Sequence, residues 1–316
     1  MANEEITGCA PKVSIVLSAY NGERFLKEQL DSLVAQTLQP DEVLIVDDCS
    51  TDGTFKLIEQ YIAKHELSGW SVRRNASNRG WIANFRTLLL EATGDYIFPC
   101  DQDDIWNPEK LLTMVATMEE CPHLNLLACL VAPFYEDGSQ KTYVDSSSVG
   151  DQLLEIPRFN PSLLYITRPG CAFCLRSSFV RSAEPYWDET YPHDSLLWDL
   201  AAITNTIGLL NEPLISFRRH SGNASARKKV NTASRIGDLD SWVRQVDVME
   251  RYCGDSIDED TRMYLEQYRA WIENRKQLVQ GNKRLRNLRA ARKHKDYYAN
   301  KASWIIDLAC SFGLTI

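Results

Sequence analysis

Residues 13–34 read VSIVLSAYNGERFLKEQLDSLV. Val13 to Ser18 is a short, β-branched apolar run, the composition of a buried strand. Asn21-Gly22 supplies a turn, and Phe25, Leu26, Gln29, Leu30, Leu33 and Val34 then recur at helical spacing. The stretch is therefore strand, loop, helix. The unit repeats: Pro40 breaks the first helix, Glu42 to Asp47 is a second strand, and Ser50 to Thr54 is a cap-rich turn opening a helix with Phe55, Leu57, Ile58, Tyr61 and Ile62. A third strand is expected over Trp70 to Arg74, a helix from Trp81 to Ala92, and a fourth strand over Asp95 to Cys100. Asn107-Pro108 are expected as N-cap and first residue of a helix over 108–120, and Leu124 to Val131 as a fifth strand. Strands alternating with helices of this length imply an α/β fold, a mainly parallel sheet flanked by helices on both faces.

Ligands of open α/β sheets bind at the carboxyl ends of the strands, and the polar clusters fall there. Tyr20-Asn21 follows the first strand, Asp47-Asp48 closes the second, and CDQDDIW (residues 100–106) ends the fourth with Asp101, Asp103 and Asp104. Asp52 and Asp104 taken singly read as turn formers or caps. No GxGxxG or GxxxxGKT element follows any strand, so phosphate has to be held by a metal or by arginines. Oxygen ligands crowded at a strand end suit a hard divalent cation, Mg2+ or Mn2+, sharing its shell with substrate phosphates and water.

The 316-residue chain is 44% hydrophobic and 25% charged, ordinary for a protein with its own core. No stretch has the roughly 18 uncharged apolar residues of a membrane span, and MANEEITGCAPK is acidic where a signal peptide is basic, so a cytosolic protein is expected. Nine scattered cysteines fit reduced thiols, and the Cys171/Cys174 pair, without a second pair, reads as core packing ahead of zinc or redox chemistry. The net charge of −8 is uneven: residues 275–316 hold 10 of the 35 Lys/Arg and only 2 of the 43 Asp/Glu, leaving an acidic body and a basic tail. A body that acidic is a poor partner for phosphate backbones, which argues against nucleic acid. Ile236 to Leu278 shows helical spacing, and the tail begins as a second, basic helical pattern. The tail packs on the domain or on a second copy, as a homo-oligomer, or docks on an anionic membrane surface at the inner face of the plasma membrane.

PKVSIVLSAYNGERFLKEQLDSLVAQT (11–37), VLIVDDCSTDGT (43–54) and GDYIFPCDQDDIWNPEKL (94–111) together resemble the nucleotide-sugar-binding half of the inverting glycosyltransferases of family 2, which have the GT-A, Rossmann-like fold. The resemblance is dense over 11–135 and looser to 225, implying a GT-A domain over 1–225, with an acceptor half from 136, and a helical C-terminal region over 226–316. It implies that Ser18, Ala19, Tyr20 and Asp48 hold the base of a dTDP- or UDP-linked sugar, that Asp101 faces the ribose and that Asp103 ligates the metal. In the same way Asp194, in Tyr191-Pro-His193-Asp194, is the implied base, with His193 where glutamate is commoner in the family. Phe217-Arg218-Arg219-His220-Ser221-Gly222-Asn223 resembles a segment whose histidine completes the metal shell and whose arginines reach the diphosphate, which points to His220 and Arg218. Arg79 is placed on phosphate or at a helix start, and Pro169 to Phe173 on the acceptor side. DQDDIW is most similar to members that use dTDP-L-rhamnose for bacterial surface polysaccharide, with UDP-hexoses as the alternative donors and a glycan or lipid-linked acceptor. A sugar nucleotidyltransferase would carry a Gly-rich N-terminal phosphate loop, which VLSAYNGERF lacks, and a binding-only scaffold would have lost one of Asp48, Asp101, Asp103 or Asp194.

Overall fold

The computed structural model describes residues 10–136, 152–220, 230–281, 284–293, 297 and 303–316. The opening run becomes β1 (Val13–Ala19), buried along its length except for half-buried Ser18. A strand apolar from end to end must be covered on both faces, and β-α-β winding does this. Helix α1 (Glu23–Val34) lays Leu26, Leu30 and Leu33 on the sheet. Then follow β2 (Glu42–Asp47), α2 (Thr54–Lys64), β3 (Trp70–Arg74), α3 (Trp81–Glu91) and β4 (Tyr96–Cys100). β1 pairs in parallel with β2 on one side and β4 on the other, with Ala19 opposite Asp47 and Leu17 opposite Cys100. The carboxyl ends of three adjacent strands thus open onto one edge.

Beyond β4 come β5 (Ile105–Trp106), α4 (Lys110–Glu120), β6 (Leu126–Tyr135), β7 (Leu154–Glu155), β8 (Phe173–Arg176), α5 (Ser177–Ala183), α6 (His193–Ile203) and β9 (Ile207–Arg219). The described strands form one nine-stranded sheet in the order β3-β2-β1-β4-β8-β6-β9-β5, with β7 also on β9. It is mixed rather than mainly parallel: β8 runs antiparallel to β4 and β6, and β5 and β7 antiparallel to β9. The strict alternation that forces parallel crossovers holds only as far as β4, and later strands meet partners distant in sequence without a crossover helix. Helix α4 starts at Lys110, not at Pro108, because Asn107 closes a turn first: its Oδ1 accepts from Glu109 N–H at 2.9 Å and its carbonyl from Lys110 N–H at 3.0 Å.

The chain divides into two compact units that interleave in sequence: Met1–Glu155, Arg168–His193 and Gly208–Arg218 form one, and Ile156–Thr167, Asp194–Ile207 and Arg219–Ile316 the other. The second holds α7 (Thr232–Cys253), α8 (Glu259–Val279), α9 (Arg284–Lys293) and α10 (Ser303–Cys310). The helical spacing from Ile236 to Leu278 is interrupted at Gly254, whose φ of 53° lies in the left-handed region, and Asp258 restarts it by accepting from Thr261 N–H at 2.8 Å. At the centre of this unit, buried Asp307 accepts from Arg235 Nε at 2.7 Å and from Arg275 Nε and Nη2 at 2.5 and 3.1 Å. The Arg275 guanidinium lies 4.4 Å from the ring centre of Trp271 and 4.9 Å from that of Trp242. Removing the shared carboxylate strands a buried cation, so Asp307→Ala is expected to cost about 3 kcal/mol. Denaturant unfolding followed by the fluorescence of the two neighbouring tryptophans checks this; a midpoint equal to that of the wild type would show that the triad contributes nothing.

Candidate active site

The β1 end is tied to both neighbours. Tyr20 donates its N–H to Gln102 Oε1 at 2.8 Å and accepts from Gln102 Nε2 at 3.0 Å, which joins the first loop to the acidic turn after β4. Asn21 donates its N–H to Ser50 Oγ at 2.9 Å and accepts from Thr51 N–H at 2.8 Å, joining the same loop to the turn after β2. A Cβ at Gly22 would sit 2.2 Å from Gln102 Oε1, so a larger residue there would have to displace the Gln102 side chain from Tyr20. Asp52, which precedes Gly53 at the N-cap of α2, accepts from Thr54 N–H at 3.0 Å.

Asp48 follows β2 and is buried. Its Oδ1 accepts from Arg79 N–H and Asn75 Nδ2, each at 2.8 Å, and its Oδ2 from Gly80 N–H at 2.8 Å. Asn75 also donates to Asn84 Oδ1 at 2.9 Å, and Asn84 to Ser18 Oγ at 3.2 Å. A polar chain thus runs from β1 across α3 to the loop after β3, and it includes Asn75 and Asn84, which the sequence did not single out. Arg79 takes part through its main chain while its side chain is exposed. Burial raises the Asp48 pKa, but hydrogen bonds from Arg79 N–H, Asn75, Asn84 and Gly80 N–H outweigh it and hold the carboxyl below its ordinary value of 3.8.

In the turn after β4, Asp101 and Asp103 are half-buried and Asp104 is buried. Asp104 Oδ1 accepts from Arg218 N–H at 3.0 Å, whereas Oδ2 lies beside the Cys171 thiol without a hydrogen bond of normal geometry. Burial first, and the charges of Asp101 and Asp103 next, push the Asp104 carboxyl well above the usual carboxylate range. Two basic side chains lie close to the turn. Arg218 is only 6% exposed; its Nε donates to the Asp103 carbonyl at 2.8 Å, and its guanidinium pairs with Glu28 at 2.5 Å and Glu136 at 3.6 Å between the rings of Phe25 and Phe134. A second cation, Lys110, is buried below the turn, with Nζ 3.2 Å from the Cys171 carbonyl and 3.3 Å from the ring centre of Trp106, and burial lowers its pKa.

Ser18, Ala19, Tyr20, Asp48, Arg79, Asp101, Asp103 and Arg218 all lie in the first unit, at or beside these strand ends. Asp194 and His220 belong to the second. Asp194 sits in the first turn of α6 with Oδ1 accepting from Ser195 N–H at 2.7 Å. Its neighbour His193 packs on α3, with its ring 4.3 Å from that of Phe85 and 6.0 Å from that of Trp81. His220 is half-buried, and Ser221, Gly222 and Asn223 fall outside the described residues.

Residues 14–188, more than half of the chain, match the family described as Glycosyl transferase family 2. The chain belongs to that family. An uncharacterized protein of Mycobacterium tuberculosis (strain ATCC 25618 / H37Rv) is 30% identical over 215 residues, 66% of this chain and 59% of the relative, so the chain spans about 59% of that relative's length. The poly(ribitol-phosphate) beta-N-acetylglucosaminyltransferase TarS of Staphylococcus aureus (strain MW2) is 28% identical over 180 residues, 56% of this chain and 30% of TarS. Residues 1–349 of S. aureus TarS with UDP-GlcNAc superpose with a TM-score of 0.64 at 20% identity, over 84% of this chain and 72% of that one. The mannosyltransferase PcManGT of Pyrobaculum calidifontis with GDP-Man and Mn2+ gives 0.55 at 17% identity, over 93% and 75%. At these identities the two structures speak for the shared GT-A fold.

One group of side chains near the turn could hold a metal ion, although its thiol suits a softer ion than Mg2+ or Mn2+. Ligand atoms of Asp101, Asp104 and Cys171 lie within 4.8 Å of one another, and the Asp104 oxygen among them is buried and unsatisfied. Asp103, expected as the ligand, is on the same turn but outside that cluster of three. The Asp48 cradle makes a separate prediction. An amide in its place cannot accept from three donors at once, so Asp48→Asn should cost about 2 kcal/mol and loosen the loop over 75–80. Because the folded pKa is depressed, this stability is present above the unfolded carboxylate pKa and is lost as pH falls through the folded value. The difference in Tm between wild type and Asp48→Asn should therefore shrink on acidification below about pH 4, and a difference that grows there would contradict the hydrogen-bonding scheme.

Proposed function

We propose that the chain is an inverting glycosyltransferase that moves a sugar from a nucleoside diphosphate donor to a hydroxyl of a glycan or lipid-linked acceptor. The observation that carries this is the meeting of two acidic elements at neighbouring strand ends: Asp48, holding the Asn75–Gly80 loop by both oxygens, and the Asp101–Asp104 turn, held to β1 by Gln102. A base lies between the end of β1 and Asp48, which is ionised because its hydrogen bonds favour the charged form. Asp48 thus presents an acceptor to a pyrimidine N–H. Ser18, Ala19 and Tyr20 line the base, Asp101 meets the ribose, and Arg79 supplies the exposed guanidinium nearest the diphosphate. Arg218, already engaged with Asp103, Glu28 and Glu136, acts on the donor through the turn that it braces.

Mg2+ or Mn2+ would be held by Asp103 beside Asp101 and Asp104, with His220 as a further ligand, and when bound it neutralises the diphosphate as a Lewis acid. Asp194 takes the proton from the acceptor hydroxyl as that oxygen attacks the anomeric carbon opposite the leaving diphosphate. One displacement inverts that centre. The first turn of a helix suits this role because it fixes a carboxylate in space. The resemblance of DQDDIW favours dTDP-L-rhamnose as donor and, with it, surface polysaccharide as the product, with a UDP-hexose as the alternative.

Thermal-shift measurements with UDP- and dTDP-sugars, with and without Mn2+, test the donor class. Stabilisation by one nucleotide sugar above its free nucleotide is expected, and a larger shift with dTDP-L-rhamnose than with UDP-hexoses identifies the sugar. No shift with any member of the panel would overturn the donor assignment.

A further inference from the structure

Helix α10 is built inside out. Its buried side carries Asp307 in the ion triad beside the apolar Cys310, with Ser311 just beyond the helix. Ile305, Leu308, Ala309 and Phe312 follow one another at i, i+3, i+4 and i+7, so they share the opposite side. That side faces outward: Ile305 is 49% exposed and Phe312 61%, with Leu308 and Ala309 half-buried. Ser311 N–H still donates to the Asp307 carbonyl at 3.1 Å, which carries the helical path past Cys310, and Leu314 and Ile316 extend the exposed apolar run. A surface helix ordinarily shows the reverse pattern. Of the large hydrophobic residues exposed in the described chain, Leu285, Ile305, Phe312, Leu314 and Ile316 all fall in α9, α10 and the residues that follow.

Charge distinguishes among the surfaces that could cover this face. Helix α9 packs against α10 and α8, and its Arg286 and Arg289 are exposed beside Leu285. Residues 275–316 carry 10 Lys/Arg against 2 Asp/Glu, in a chain whose net charge is −8; Arg275 is buried on Asp307 and Lys276 pairs with Asp240, so the excess available to a partner lies after Lys276. An apolar stripe next to an excess of arginine matches an anionic lipid surface, where apolar side chains enter the headgroup boundary and the basic ones pair with phosphate. No helix of the described residues is long and apolar enough to cross a membrane, so the contact is one of lying on the surface.

We propose that α9, α10 and residues 312–316 form a docking surface for an anionic lipid bilayer, with Ile305, Phe312 and Leu314 as the inserting side chains. This is independent of the reaction proposed above. The test is flotation of the full chain with vesicles of phosphatidylcholine alone and of phosphatidylcholine with about one third phosphatidylglycerol. Binding to the anionic vesicles is expected to exceed that to the neutral ones about tenfold and to weaken with salt. The variant Ile305→Ser/Phe312→Ser/Leu314→Ser alters only exposed positions, so it should keep the wild-type Tm while losing vesicle binding about tenfold. Absence of wild-type flotation, or equal flotation of the variant, overturns the proposal. So does a wild-type dimer in sedimentation that the same variant converts to monomer without any vesicle binding, since a second copy would then be what covers the face.

Discussion

Asp194→Ala is expected to lower kcat by at least about a hundredfold while leaving donor binding close to that of the wild type. The acceptor hydroxyl is a poor nucleophile until its proton is taken, and a positioned carboxylate typically contributes 10²–10⁴-fold to such a step, roughly 3–5 kcal/mol of barrier. Asp194 is suited to this by its place in the first turn of α6, where Ser195 N–H holds one oxygen at 2.7 Å. Asp194→Asn is the better control: its amide oxygen can still accept from Ser195 N–H, while the base is lost. Both variants should fall together in turnover while only the alanine variant loses that hydrogen bond and with it about 1 kcal/mol of stability. Near-normal turnover in either variant would remove Asp194 from the base role.

Asp103→Ala should abolish turnover and also weaken donor binding in the presence of Mn2+. The leaving diphosphate gains charge as the anomeric bond breaks, so whatever neutralises it acts mainly on the transition state, an effect of several kcal/mol. The Asp103 carbonyl is fixed by Arg218, and this main-chain contact survives the substitution. The turn should therefore keep its shape and the loss should be one of charge. Equal donor affinity for variant and wild type, with and without Mn2+, would instead place the cation on Asp101 and Asp104, whose ligand atoms already cluster with that of Cys171.

Much of the first unit was legible because its determinants are local. The β1 run, the helical spacing after Gly22 and the capping turn before α2 each occupy a few consecutive residues, and the elements formed where those patterns lie. The acids were legible too, since carboxylates at strand ends stand out against apolar runs. What holds them was not. Gln102 meets Tyr20 across 82 residues and Arg218 meets Asp103 across 115, and no spacing rule links such pairs. For that reason Arg218 read from sequence as a diphosphate ligand, whereas its guanidinium braces the acidic turn. The two-residue β5 has no period to detect, and it forms because β9 offers it a partner through Ile215 and Ser216. The interruption at Gly254 was masked by helical spacing that continues on both sides of it. Asn75 and Asn84 looked like loop and helix polar residues until Asp48 and Ser18 appeared as their partners.

The most direct test is calorimetric titration of the wild-type chain with its nucleotide-sugar donor in Mn2+ and in excess chelator. Tight binding in Mn2+ that weakens at least about tenfold in chelator is expected, because the proposed function sets both phosphates against the acidic turn with a cation between them. Equal affinity in the two buffers would contradict a metal-bridged donor at Asp103.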